Sequence, residues 1–206
     1  KGKADKIFYQ AKSILENRCI PFRPLPKLND GIYLDIESYT PIDFDYLFGL
    51  LDDNTYVPFL ARNLVEEKET FKSTIAYLMS TNKPIYHYHS YELVRFRKLS
   101  KKYNINLPNN LFGRFTDVYK IYSEYVALPL PSYSLKAIAR YFGFNWRTNL
   151  NGLVVIDSYK DYIGTNDENV LSEILRYNED DVRATAFLVE RINQMREMMS
   201  VKDSFV

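Results

Sequence analysis

Cysteine, histidine and net charge are all scarce in this chain, and each scarcity removes a class of function. Cys19 is the only cysteine, so an intramolecular disulfide and any zinc site needing two thiolates are excluded. A lone thiol fits a reducing, cytoplasmic setting, and Cys19 itself reads as a small, half-buried apolar residue. Lysine and arginine number 27 against 26 aspartates and glutamates, a formal net charge of +1. That is not the excess of a passive nucleic-acid coat, although an acidic metal site subtracts charge from a basic rim. No apolar run approaches the roughly 20 residues that span a bilayer. The opening KGKADKIFYQ is charged and mixed, unlike a secretory signal, and lacks an initiator Met, as either a fragment or a processed chain would.

Aromatic residues, by contrast, are plentiful, with 18 Tyr and 13 Phe. Most belong to a core, and some are free to stack on bases. The 206 residues suffice for one compact domain with a small appendage. Apolar spacing predicts a helix over residues 5–17. Three prolines in RCIPFRPLPKLND then predict an extended linker, because proline fixes φ and removes a donor. Residues 1–30 are therefore expected to form an N-terminal helix and linker, and residues 31–206 the main domain.

GIYLDIESY reads as the first strand of a sheet, and DYLFGLLDDNTYVPFLAR as a hairpin turning at DDNT. Helical patterns follow at 66–80 and 91–103, on either side of the short strand IYHYHS. FGRFTDVYKIYSEYV reads as a strand or turn entering a helix. SLKAIARYFGF is a helix with Ser132 or Ser134 as cap and Gly143 at its end. GLVVIDSYKDYI is ambiguous but helical, and one or two helices cover the region from Glu168 onward. The fold class is α/β: a mixed sheet, an antiparallel meander joined to parallel strands, flanked by helices.

Two pairs carry the chemistry. Asp35 and Glu37, at i and i+2 on a strand, emerge on one face. Their neighbours Ile32, Leu34 and Ile36 are apolar, so the strand is central. Paired acids there are costly unless a cation neutralises them, and hard divalent ions prefer oxygen ligands. Tyr177 and Asp181, at i and i+4, share one helix face, so a phenol can orient a water beside a metal-binding carboxylate. Glu179 and Asp180 are expected to be solvated or to serve a helix's first turn. Glu92 follows the strand holding His87 and His89, at a strand-to-helix junction. The two histidines read as packing residues before ligands. Asp117 is either a helix N-cap or a further acid of the site.

Taken in order, LDIES, HYHSYELVRF, TDVYKIY, SYSLKAIARYFGF and YNEDDVRAT resemble the RNase H-like domain of the DEDD (DnaQ-like) 3′–5′ exonuclease superfamily, tyrosine subtype. Within it they are most similar to the branch associated with RecB-like nuclease and helicase proteins. The resemblance runs from residue 31 to about residue 195. Its Asp-x-Glu motif falls on Asp35 and Glu37, and its Tyr-x-x-x-Asp motif on Tyr177 and Asp181. The middle motif, which in the family ends in an aromatic followed by Asp, here reads Tyr91-Glu92. The extra methylene moves the carboxylate outward, and two ions roughly 3.5–4 Å apart are sensitive to such a shift.

The resemblance implies a 3′–5′ exonuclease working on nucleic-acid ends with two Mg2+ or Mn2+ ions, single-stranded DNA being favoured over RNA. Asp35, Glu37, Glu92 and Asp181 are then the metal ligands and Tyr177 the water-orienting residue. Asp117 stands in reserve for Glu92, and Lys136 touches phosphate or the acids. Arg95 and Lys98, with Arg97, Lys101 and Lys102 on the same helix, follow the strand backbone. It further implies a role in DNA repair beside helicase or nuclease modules, with no membrane partner. Because glutamate stands in the middle motif, a catalytically weak nucleic-acid-binding or scaffolding module is the alternative. A transposase-type domain making internal cuts fits the tyrosine spacing poorly.

Overall fold

The computed structural model describes residues 2–203. In chain order its elements are α1 (Gly2–Glu16), β1 (Ile20–Pro21), β2 (Ile32–Tyr39), β3 (Phe44–Asp52), β4 (Thr55–Leu60), α2 (Glu67–Met79), β5 (Ile85–His87), α3 (Tyr91–Tyr103), β6 (Phe115–Asp117), α4 (Val118–Tyr125), β7 (Val126–Ala127), α5 (Leu135–Tyr141), α6 (Gly152–Thr165) and α7 (Glu168–Asp203). Five strands form one sheet in the order β4-β3-β2-β5-β6, which makes β2 its centre. The first three pair antiparallel, and β5 and β6 add in parallel. This is the expected mixed α/β sheet.

Local chemistry accounts for its shape. Asp53 and Asn54 both take positive φ, 46° and 64°, the conformation that lets a two-residue turn follow the twist of a hairpin. Pro58 lies on β4 at the sheet edge, where a missing N–H is tolerated. Parallel strands need long crossovers, and α2 and α3 supply them.

β2 alternates strictly. Ile32, Leu34 and Ile36 face a core shared with Phe48, Leu50, Phe71, Phe96 and Leu99, and full burial of such side chains contributes about 1.5–3 kcal/mol each. Tyr33, Asp35 and Glu37 therefore face the other way, under α7, which packs across β2 and β3. With both faces covered, β3 is buried along nearly its whole length and shows no alternation of its own. Residues 168–203 form one continuous helix, where the pattern allowed one or two, and 152–165 is helical.

The proline segment lies against the rest of the fold. β1 pairs with β7, and the Phe22 N–H donates to the Tyr125 carbonyl at 2.9 Å. Leu25 joins the core around α4, α5 and α7. The Asn193 amide holds both the N–H and the carbonyl of Leu28, at 3.0 and 2.8 Å.

Candidate metal centre

β2 delivers Asp35 and Glu37 to the face beneath α7, and the inward face of α7 delivers Asp181. One carboxylate oxygen from each lies within 4.8 Å of the others. The site is walled by protein, and that sets its electrostatics. Burial raises the Asp35 carboxyl well above its usual range, and the charges of Glu37, Asp181 and Glu92 add to the rise. Glu37 is pushed up to about 8, by burial first and then by Asp181. Asp181 rises only to about 6, because Trp146, Tyr177 and Lys136 oppose its burial. Three crowded carboxylates resist ionising together. A divalent cation reverses that penalty, and an all-oxygen set suits a hard ion such as Mg2+ or Mn2+.

The acids are held from behind. The Asn178 amide Nδ2 donates to Asp35 Oδ2 at 2.7 Å, while Tyr56 donates its hydroxyl to Asn178 Oδ1 at 2.8 Å. Gly49, the cross-strand partner of Asp35, makes room for that amide. A Cβ at this position would lie 1.5 Å from Asn178 Oδ1. The indole Nε1 of Trp146, the only tryptophan, donates to Asp181 Oδ1 at 2.6 Å. Tyr177 sits one turn before Asp181, buried, with its phenol facing that carboxylate. Lys136 places its ammonium 4.7 Å over the Tyr177 ring and donates to the Leu150 carbonyl at 2.6 Å. Burial lowers its pKa, against the pull of Asp181.

The other sequence-predicted residues lie outside this triad. Glu92 is buried at the start of α3 with Oε2 3.4 Å from His87 Nδ1. Its charge reaches Asp35, but it is not among the three clustered carboxylates. Asp117 caps α4, accepting from the Lys120 N–H at 3.4 Å and the His89 N–H at 2.9 Å. Arg95 is not on a basic face. It is 8% exposed and ion-paired with buried Asp45 at 2.7 Å and with Asp43 at 2.9 Å, so its charge is spent inside the fold and not on a surface that tracks a nucleic-acid backbone. Lys98 sits on Asp43 at 2.5 Å and Lys102 on Glu67 at 2.5 Å.

The Glu-Asp pair before Asp181 is also not solvated. The run lies in the middle of α7, and Asp180 is buried, accepting from the Arg147 backbone N–H and Nε at 2.7 and 2.6 Å. Glu179 bridges Arg147 and Arg183 at 2.9 and 2.8 Å. A helical run of acids looks solvated in one dimension, but here the 145–151 loop covers it.

Sequence reasoning missed Asn178, Trp146, Tyr56 and Gly49. Asn178 left one signal, because it lies at i−3 from Asp181 and so on the same helix face. The other three come from distant segments and carry no local signal.

Among the described residues no helix is long and apolar enough to cross a membrane. Comparison with curated proteins found no match. A family model of the RNase H superfamily, RNase_H_2, matches residues 32–193. The matched span opens at the first residue of β2 and ends within α7, so it takes in the whole five-stranded sheet and all three clustered acids. The family accounts for an acidic, metal-compatible centre on the middle strand of such a sheet and for nuclease-type chemistry on nucleic acid: this chain belongs to the RNase H superfamily.

Proposed function

We propose that the chain is a metal-dependent 3′–5′ exonuclease of the DEDD tyrosine subtype, acting on single-stranded DNA ends in preference to RNA. The observation that carries this reading is the convergence of Asp35, Glu37 and Asp181 oxygens within 4.8 Å, with Tyr177 one helical turn from Asp181. When bound, two ions of the Mg2+ or Mn2+ class would supply an activated water and neutralise charge on the leaving oxygen. Asp35, Glu37 and Asp181 would hold the ions, with Glu92, now facing His87 at 3.4 Å, as the proposed fourth ligand. Tyr177 orients the water with its phenol oxygen. In the metal-free site burial and Asp181 push its pKa up, which favours the protonated phenol that hydrogen-bonds the water.

Lys136, beside the acids, is the residue we propose to meet the scissile phosphate. Lys98 is a weaker candidate for the backbone because Asp43 already holds it. Residues 31–206 form the nuclease domain and 1–30 its N-terminal helix and strap. We further propose that it works in the cytoplasm, in DNA repair, with RecB-like nuclease or helicase modules as partners.

One observation favours a second reading, a nucleic-acid-binding module with weak catalysis. Glu92 faces His87 at 3.4 Å and stays outside the triad. The test is cleavage of a 5′-labelled single strand with Mg2+ or Mn2+. A ladder that disappears in Asp35→Asn and Asp181→Asn supports the exonuclease. Intact strand that is bound but uncut with either ion rejects it in favour of the binding module.

A further inference from the structure

We infer that the two aspartates of the triad are built as one-oxygen ligands, and that this makes the centre select Mg2+ or Mn2+ against Ca2+. The inference rests on the metal-centre reading above and concerns residues that reading does not use, Trp146 and Asn178.

Each aspartate has one oxygen already taken by an N–H donor. Asp35 Oδ2 accepts from Asn178 Nδ2 at 2.7 Å and Asp181 Oδ1 from Trp146 Nε1 at 2.6 Å. Neither donor can turn away. An indole nitrogen donates only, and the loop carrying it is tied down on both sides of Trp146, by the Phe144 N–H on the Ala139 carbonyl before it and by Arg147 on Asp180 after it. The Asn178 amide is oriented by the Asp35 carboxylate, which would repel the amide oxygen, and it fills the space that Gly49 leaves. Tyr177 also faces Asp181, but a hydroxyl can rotate its hydrogen away and accept instead.

An oxygen that holds an N–H carries a positive hydrogen beside it, which repels a second cation. Bidentate chelation by Asp35 or Asp181 is therefore disfavoured, while binding through the remaining oxygen is not. Ca2+ takes six to eight oxygens at about 2.3–2.6 Å and gains from bidentate carboxylates. Mg2+ needs near-ideal octahedral geometry at about 2.0–2.1 Å and keeps several waters, so single carboxylate oxygens serve it better. The two donors act as positioning residues that set ligand denticity.

The test measures binding, not turnover. Mn2+ bound to the full chain is read from the loss of free-ion EPR signal, then displaced with Mg2+ or Ca2+. The same competition is run on Trp146→Phe, which keeps a ring against Phe144, and on Asn178→Leu, with circular dichroism checking the fold. Freeing an oxygen should raise Ca2+ affinity relative to Mg2+ at least about fivefold in each variant. The inference is overturned if Mn2+ still binds and the Ca2+-to-Mg2+ ratio stays within about twofold of wild type. Trp146→Phe alone decides if Asn178→Leu does not fold. A wild-type chain that binds no Mn2+, or Asp35→Asn and Asp181→Asn variants that bind it unchanged, refutes the metal-centre reading itself and this inference with it.

Discussion

Gly49→Ala adds one methyl group behind the candidate centre, and the structure specifies what it meets. Gly49 does not have positive φ, so the backbone accepts alanine and only the new Cβ matters. That atom would lie 1.5 Å from Asn178 Oδ1 and 2.7 Å from its Cγ. β3 is packed on both faces and cannot retreat, so the Asn178 amide has to move. Its bonds to Asp35 and Tyr56, at 2.7 and 2.8 Å, are lost. Overpacking costs about 1–3 kcal/mol, and a buried polar group without its partner costs about 1–3 kcal/mol more. In a domain of this size each kcal/mol lowers Tm by about 2–4 °C. Even the low end of these ranges predicts a fall of about 4 °C or more. A thermal double-mutant cycle locates the cause. If the clash is with Asn178, Asn178→Ala relieves it, and the double variant is more stable than the sum of the singles by at least about 1 kcal/mol. A Gly49→Ala protein melting within about 2 °C of wild type, or an additive cycle, would refute the reasoning.

The pH dependence of the metal-free protein should run opposite to that of most acids. Glu37 and Asp181 titrate near 8 and 6 in the fold, above the roughly 4 of the unfolded chain, so the folded state binds more protons in between and stability falls as pH rises from about 5 to 8. Melts in chelator should show that fall and melts in saturating Mg2+ or Mn2+ should suppress it; a flat profile in chelator contradicts the buried-acid account. Glu37→Gln removes one of the crowded charges, so metal-free Tm at pH 8 should rise while Mn2+ affinity drops at least about tenfold; no change in either argues against a role for Glu37. Arg95→Ala strands the fully buried Asp45 and should cost about 3–5 kcal/mol in urea unfolding, with a loss below about 1 kcal/mol rejecting the buried ion pair. Asp117→Ala should cost about 1 kcal/mol as a lost helix cap and leave Mn2+ affinity within about twofold; a tenfold loss would instead put Asp117 in the metal site.

Much of this was legible because it is local. The strand period puts Asp35 and Glu37 on one face, and the helix period does the same for Tyr177 and Asp181. The mixed sheet follows from three strands in succession and then strands separated by helices. What stayed hidden depends on contacts between distant segments. The run at 179–181 reads as solvated in the sequence, yet the Arg147 loop buries Asp180. Arg95 belongs to a basic run in the sequence, but its position on α3 points it inward at Asp45. The β1–β7 pair joins segments too far apart for any window to relate.

The sequence by itself determined the sheet class, the candidate acids and the faces they occupy, because side-chain periodicity is a property of the backbone alone. Tertiary structure decided which acids cluster and which donors hold them. Glu92 and His87, Trp146 and Asp181, and Gly49 and Asn178 become neighbours only when α3, the 145–151 loop, β3 and α7 pack around β2. No local pattern encodes those distances.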